Sequence, residues 1–240
     1  MSTMPARSGL SQMQLFRPPA PKARAADVHA ISIPAGSYTG DFYLTHRTAD
    51  RLWLAVGDVA GKGLPAALIM AMIQEELEHR LESCAQAMCD PSTTAHRLHE
   101  FLRPNLPQNR FATAVIGHLH DNGTLVVANA GHPPALIRRR DGSIEEIASS
   151  GPVLGLLPSA EWTSTTRFLA RGESMLLYTD GVVELPCHSG EEFGVDRLKE
   201  AFLQAGAARS AREIADAVTT SIRRHAETYE DDVTLVVVRR

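Results

Sequence analysis

Residues Arg51–Leu68, RLWLAVGDVAGKGLPAAL, decide the fold. Leu52–Val56 is an unbroken apolar run, too short for a helix and suited to a strand buried on both faces. The run stops at Gly57, so Asp58 is expected where the strand leaves the core, at the mouth of a loop carrying Gly57, Gly61 and Gly63. Pro65 suits the first turn of a helix, where its missing N–H costs little. Leu68, Ile69, Met72, Ile73, Leu77 and Leu81 then recur at helical spacing and predict a helix laid on a core. A carboxylate on a rigid strand end, beside backbone open to close approach, is well placed to hold a metal ion.

A phosphate-cradling turn fits these glycines poorly. The phosphate loop needs GxxxxGK[ST], whereas Gly57 stands only four residues before Gly61, and Gly63 follows Lys62 where a hydroxyl is required. No GxGxxG passes through them either. An ordinary turn in which Asp58 caps the helix remains open on this segment alone.

The chain has 240 residues, 44% of them hydrophobic and 22% charged, which is the balance of a globular protein of one large domain or two small ones. A net charge of −4 with scattered Lys and Arg gives no basis for nucleic-acid binding. Arg138–Arg140 is a lone basic triplet, expected at a hairpin tip. No apolar run approaches the roughly 20 residues of a membrane span, and the N-terminus has no secretory core. The expectation is a cytoplasmic protein whose Cys84, Cys89 and Cys187 are reduced thiols.

Those cysteines exclude one mechanism. A cysteine-dependent phosphatase needs an arginine six residues after its nucleophile, and here those positions are Asp90, Ala95 and Phe193. There is no GxSxG elbow for a serine hydrolase. His96 and His99 lack a third metal ligand nearby and read as a solvated helix face.

In chain order, residues 1–26 read as a Pro-, Ala- and Arg-rich lead-in with a short helical candidate, Leu10–Phe16, and residues 27–240 as one domain. Strands are expected at Val28–Ile33, Phe42–Leu44, Ala112–Leu119, Leu125–Asn129, Ala135–Arg138, Ile144–Ile147, Thr163–Leu169, Met175–Tyr178 and Val233–Val238. Helices are expected from Ser92 to Leu102, over Asp196–Gln204, and from a capping box at Ser210–Glu213 to His225. Strands joined by short turns and interrupted by two pairs of helices indicate an α+β fold.

Three apolar strands carry aspartate at one end: Asp58 and Asp180 follow theirs, and Asp231-Asp232 precede the last. If that last strand runs antiparallel to the others, these carboxylates meet at one edge, with Asp41 a fourth candidate. Buried carboxylates repel unless cations offset them. Oxygen-only ligands favour hard ions such as Mg(II) or Mn(II).

The ordered motifs Gly40-Asp41-Phe42-Tyr43, Gly57-Asp58-Val59-Ala60-Gly61-Lys62-Gly63, Asn129-Ala130-Gly131-His132-Pro133-Pro134, Thr179-Asp180-Gly181 with Glu184, Phe193-Gly194 and Asp231-Asp232-Val233-Thr234 carry a resemblance. From about Gln12 to Arg240 the chain resembles the SpoIIE/RsbU-like phosphatases, the bacterial branch of the metal-dependent type-2C (PPM) serine/threonine phosphatases. The resemblance implies a four-layer α-β-β-α sandwich with two central antiparallel sheets and two Mn(II) or Mg(II) ions at one edge. It implies that Asp58 bridges both ions, that the Val59 carbonyl binds one, that Asp180 and Asp231 ligate the other, and that Asp41 holds metal-bound water. Attack by a metal-bridging hydroxide, without a phosphoenzyme, would follow. The implied substrate is a phosphorylated STAS-domain antagonist of an anti-sigma factor, whose dephosphorylation would switch partners and free a sigma factor.

Two positions depart from the pattern. Thr39 replaces the first glycine of the usual Gly-Gly-Asp, and Leu44 stands where a second acid is common. They sustain a rival reading, a catalytically weak or inactive PPM-fold binding protein in the same partner-switching pathway. A third reading is a hydrolase of small phosphoesters. His132 is expected to stabilise its loop and Lys62 to be a solvated cation. Leu10, Met13 and Phe16 lie at roughly helical spacing, and the segment is expected either to pack on its own core or to dock on a regulatory partner or a second copy.

Overall fold

The computed structural model describes residues 26–84, 89–107, 109–226 and 228–240. The lead-in helix expected at Leu10–Phe16 lies outside them.

Two five-stranded antiparallel sheets form the centre. The first contains β2 (Phe42–Arg47), β3 (Arg51–Val59), β4 (Ala112–His120), β5 (Thr124–Ala130) and β8 (Thr165–Phe168), paired in that order. The second runs β1 (Asp27–Ile33), β10 (Val233–Arg239), β9 (Ser174–Tyr178), β6 (Ala135–Arg138) and β7 (Ile144–Ile147). Helices α1 (Leu64–Cys84) and α2 (Pro91–Asn105) cover the first sheet, and α3 (Gly194–Gln204) and α4 (Ala211–His225) cover the second. This is the expected α-β-β-α sandwich.

Three apolar layers hold it together. Leu54, Val56, Val115 and Val127 meet Ile137, Leu177, Val236 and Val238 between the sheets. Trp53, Ala55 and Ile116 face the first helix pair, and Leu176, Leu235 and Val237 face the second. On α1 the buried stripe is Ile69, Ile73, Leu77 and Leu81, each contributing about 1.5–3 kcal/mol of burial. Leu68, expected in that stripe, is instead 58% exposed on the outer face.

Several boundaries differ from the sequence reading. β3 does not stop before Gly57 but pairs with β4 through Asp58↔Thr113 to Val59↔Ala112. Gly57 is tolerated inside the strand because a Cβ there would stand 2.2 Å from the Thr113 carbonyl oxygen and 2.3 Å from the Phe42 ring. Asp90, not Ser92, caps α2, its side chain accepting from the Ser92 N–H. The helix also runs past its expected end at Leu102, with Pro104 inside its last turn. His99 is buried, its Nδ1 accepting from Gly155 N at 3.0 Å, while His96 keeps to the solvated face. Arg138 is buried in β6 rather than at a hairpin tip. Cys187 is a free thiol as expected, whereas Cys89 is disulfide-bonded.

The capping box at α4 forms with one change. Ser210 Oγ accepts from Glu213 N at 3.1 Å, but the Glu213 carboxylate accepts from Arg209 N rather than from the cap residue.

Candidate metal centre at the sheet edge

The final strand runs antiparallel to β9, so Asp231, ahead of β10, arrives beside Asp180, behind β9. Asp58, near the end of β3, reaches the same place from the other sheet. All three line one cleft of about 530 Å³, together with Gly40, Lys62 and Asp232.

The backbone fixes each of these groups. Asp180 opens a single 3-10 turn, Asp180–Val182, and its Oδ1 accepts from Gly181 N at 3.0 Å. Gly181 has no room for a side chain, since a Cβ would stand 2.1 Å from the Asp232 carbonyl oxygen. Asp231 Oδ1 accepts from Asp232 N at 2.9 Å, and its Oδ2 lies 3.0 Å from Lys62 Nζ. Asp232 serves another purpose: its two oxygens accept from Ala35 N at 2.8 Å and Gly40 N at 3.0 Å, pinning the loop ahead of β2.

Asp41 lies next to Gly40 but is not part of the open lining. It is 5% exposed, and its Oδ2 accepts from Thr179 Oγ1 at 2.8 Å. Burial raises its pKa to about 8, against hydrogen bonds from Thr234 and Thr179 that lower it, with the Asp58 charge raising it further. Burial, then the Asp180 charge, raise Asp58 to about 7. Asp180 is raised by burial and by Asp231. Folding has gathered carboxylates whose charges the protein offsets only in part, through Lys62.

The donor chemistry fits a hard divalent cation. Gly40 supplies the space: where its Cβ would stand, Asp58 Oδ1 is 2.9 Å and the Val59 carbonyl oxygen 3.1 Å away, so the absent side chain leaves both oxygens uncovered. The carboxylates are not a closed cage as they stand. Among the described residues, no three His, Cys, Asp or Glu side chains are grouped tightly enough to hold an ion, and Lys62 engages Asp231 across the cleft.

Neither departure from the motif intrudes on the cleft. Thr39 Oγ1 accepts from Asp41 N at 3.1 Å, a side-chain turn that replaces glycine without requiring a positive φ. Leu44 is 6% exposed and packs in the layer beneath α1, on the side of β2 away from the sheet interface. Lys62, expected to be solvated, is 71% exposed yet makes that ion pair and donates to the Glu230 carbonyl at 3.1 Å. The loop expected to be stabilised by His132 is held by Asn129 instead: its Oδ1 accepts from His132 N, and its Nδ2 donates to the carbonyls of His132 and Pro133.

Thr113 has no motif to announce it. It lines the cleft as the cross-strand partner of Asp58, which places the two side chains on one face of the sheet. Its position follows only from the strand register.

Residues 48–240 match the family model for Stage II sporulation protein E (SpoIIE). The chain belongs to the SpoIIE family. Within reach of that family lies the phosphoserine phosphatase RsbU of Bacillus subtilis (strain 168), 28% identical over 233 residues, covering 95% of this chain and 68% of that protein. Among solved structures, the RsbU and RsbW domains of Rv1364c from Mycobacterium tuberculosis superpose with a TM-score of 0.77 at 28% identity, over 90% of this chain and 60% of that one. The PP2C phosphatase domain of SpoIIE from Bacillus subtilis gives a TM-score of 0.76 at 21% identity, over 90% of this chain and 63% of that one. RsbX in complex with magnesium shares the fold at a TM-score of 0.68 and 18% identity, over 89% of this chain and 94% of that one. The expected PPM phosphatase fold is therefore the observed one. No helix among the described residues is long and apolar enough to cross a membrane.

Proposed function

We propose that this protein is a divalent-cation-dependent phosphatase that hydrolyses phosphoserine or phosphothreonine on a partner protein. The observation that carries the reading is the meeting of Asp58, Asp180 and Asp231 from two sheets at one cleft, with Gly40 leaving the Asp58 and Val59 oxygens uncovered. Membership of the SpoIIE family and a relative named as a phosphoserine phosphatase place the chain in the protein serine/threonine phosphatase class.

In this reading Asp58, the Val59 carbonyl, Asp180 and Asp231 would hold two divalent ions, Mn(II) or Mg(II), and the buried Asp41 would hold water bound to them. When bound, such ions lower the pKa of a coordinated water and offset charge on the phosphoryl group. The chain's own contribution is placement. Asp58 and Asp180 are held by strand ends, Gly40 admits the ligand closely, and Thr179 fixes Asp41. The absence of a cysteine followed by arginine, and of a DxDxT aspartate, agrees with direct hydrolysis by water.

The proposed substrate is a phosphorylated STAS-domain protein in a cytoplasmic partner-switching pathway. Incubating that phosphoprotein with the protein, with and without Mn(II), tests the reading. Phosphate loss only with Mn(II) supports it. Tight binding without phosphate loss in Mn(II) would favour the non-catalytic binding protein, and a preference for p-nitrophenyl phosphate over the phosphoprotein would favour a small-phosphoester hydrolase.

A further inference from the structure

His132 is buried in the crossover between β5 and β6, where the chain passes from one sheet to the other. Asn129 clamps the backbone on both sides of it, and burial confines the ring. Gly131, at φ 66°, makes the turn, and a Cβ there would stand 2.6 Å from Val153. One ring nitrogen, Nδ1, lies 2.8 Å from Thr113 Oγ1. The other, Nε2, is buried without a hydrogen-bond partner, and the backbone of Tyr178, two residues before Asp180, lies beside the ring. Loop stabilisation accounts for Asn129 and Gly131. It does not account for an imidazole inserted between a cleft-lining hydroxyl and the strand that delivers Asp180.

We propose that His132 is a positioning residue that holds the Thr113 hydroxyl as a hydrogen-bond acceptor at the wall of the cleft beside Asp58. This rests on the phosphatase reading above and extends it to residues that reading does not use.

The argument follows from donor and acceptor inventory. A neutral imidazole has one N–H and one bare nitrogen, and burial drives the His132 pKa down to about 3, which keeps the ring neutral. With Nδ1 paired to Thr113 Oγ1 and the Tyr178 backbone beside the ring favouring its protonated form, the N–H is assigned to Nε2. Nδ1 is then bare and accepts, and the Thr113 O–H donates to it. With its one hydrogen committed inward, Thr113 presents only lone pairs to the cleft. A water lying against it must turn a hydrogen toward Thr113, which leaves a lone pair of that water free to face phosphorus. A rotating hydroxyl would hold the water less selectively. No proton is transferred to or from His132 in this role.

The test compares Thr113→Val, Thr113→Ser, His132→Gln and the double variant His132→Gln/Thr113→Val, using p-nitrophenyl phosphate at saturating Mn(II). Thr113→Val keeps the shape and loses the hydroxyl. It is expected to lower kcat about tenfold or more, the scale of one positioned hydrogen bond, with little change in KM. Thr113→Ser should retain most activity. His132→Gln should cost a similar factor, and the double variant should be no worse than the poorer single, because both remove the same oriented hydroxyl. Wild-type kcat in Thr113→Val, or losses that multiply in the double variant, would overturn the proposal. Should His132→Gln fail to fold, the imidazole 15N spectrum of the wild type decides: a bare Nδ1 whose signal moves in Thr113→Val is expected, and a protonated Nδ1 overturns it. An inactive wild type would strike the phosphatase reading instead, and that spectrum would still decide the direction of the hydrogen bond.

Discussion

Thr179 Oγ1 donates to Asp41 Oδ2 at 2.8 Å and accepts from Thr234 N at 3.0 Å, so a single hydroxyl ties the residue ahead of β2 to the ends of β9 and β10 in the other sheet. Thr179 and Thr234 are fully buried. The Asp41 carboxylate is thereby held under the cleft in a dry setting that favours its neutral form.

That setting has a consequence for stability. An ordinary aspartate titrates at 3.8, and Asp41 in the folded chain at about 8. Between these values the folded state keeps a proton that the unfolded state has lost. The associated stabilisation is complete below the unfolded pKa and disappears as the pH rises through the folded one. Asp58, raised to about 7, acts with the same sign. Metal-free protein should therefore lose Tm between pH 5 and pH 8.5. Asp41→Asn cannot titrate and should lose less, gaining about 10 °C on the wild type across that interval. A Tm difference independent of pH would contradict the burial assigned to Asp41.

Asp231 and Asp232 are adjacent but should fail differently. Both Asp232 oxygens are engaged by Ala35 N and Gly40 N, and an amide in its place loses one acceptor. Asp232→Asn should cost about 1–2 kcal/mol in urea unfolding while Mn(II) still binds. Asp231→Asn should leave stability nearly unchanged and weaken Mn(II). The opposite pattern would exchange the two roles.

Lys62 competes with any cation for Asp231, through its 3.0 Å ion pair. The hydrogen bond and charge of Asp231 raise the Lys62 pKa, so the ammonium stays charged at neutral pH. Both side chains are largely exposed, and the effect should be modest. Lys62→Met is expected to tighten Mn(II) binding about twofold to fivefold at low salt, with the difference shrinking as salt is added. An unchanged affinity would separate Asp231 from the ion's ligands.

Much of this arrangement was legible in the residues. Apolar runs ending at Asp58 and Asp180, and one beginning after Asp231, were enough to bring carboxylates to one edge once the last strand proved antiparallel to β9. What escaped depends on contacts distant in sequence. Gly57 reads as a strand end, yet the Phe42 ring and the Thr113 carbonyl fill the space its side chain would need, and β3 continues to Val59. His99 reads as solvated, yet a loop 56 residues away offers it the Gly155 N–H. Leu44 reads as a lost acid, yet the pleat turns it toward α1. Thr113 is invisible without the register that sets it opposite Asp58.

The central claim is the proposal that the carboxylates of Asp58, Asp180 and Asp231 would together hold divalent cations. Calorimetric titration of Mn(II) into the wild type and into Asp58→Asn at pH 7.5, with folding checked by thermal unfolding, tests it most directly. The account predicts strong Mn(II) binding to the wild type and a loss of most of that binding in Asp58→Asn, because its charge offsets the ions directly. Equal Mn(II) binding by the wild type and a folded Asp58→Asn variant would contradict it.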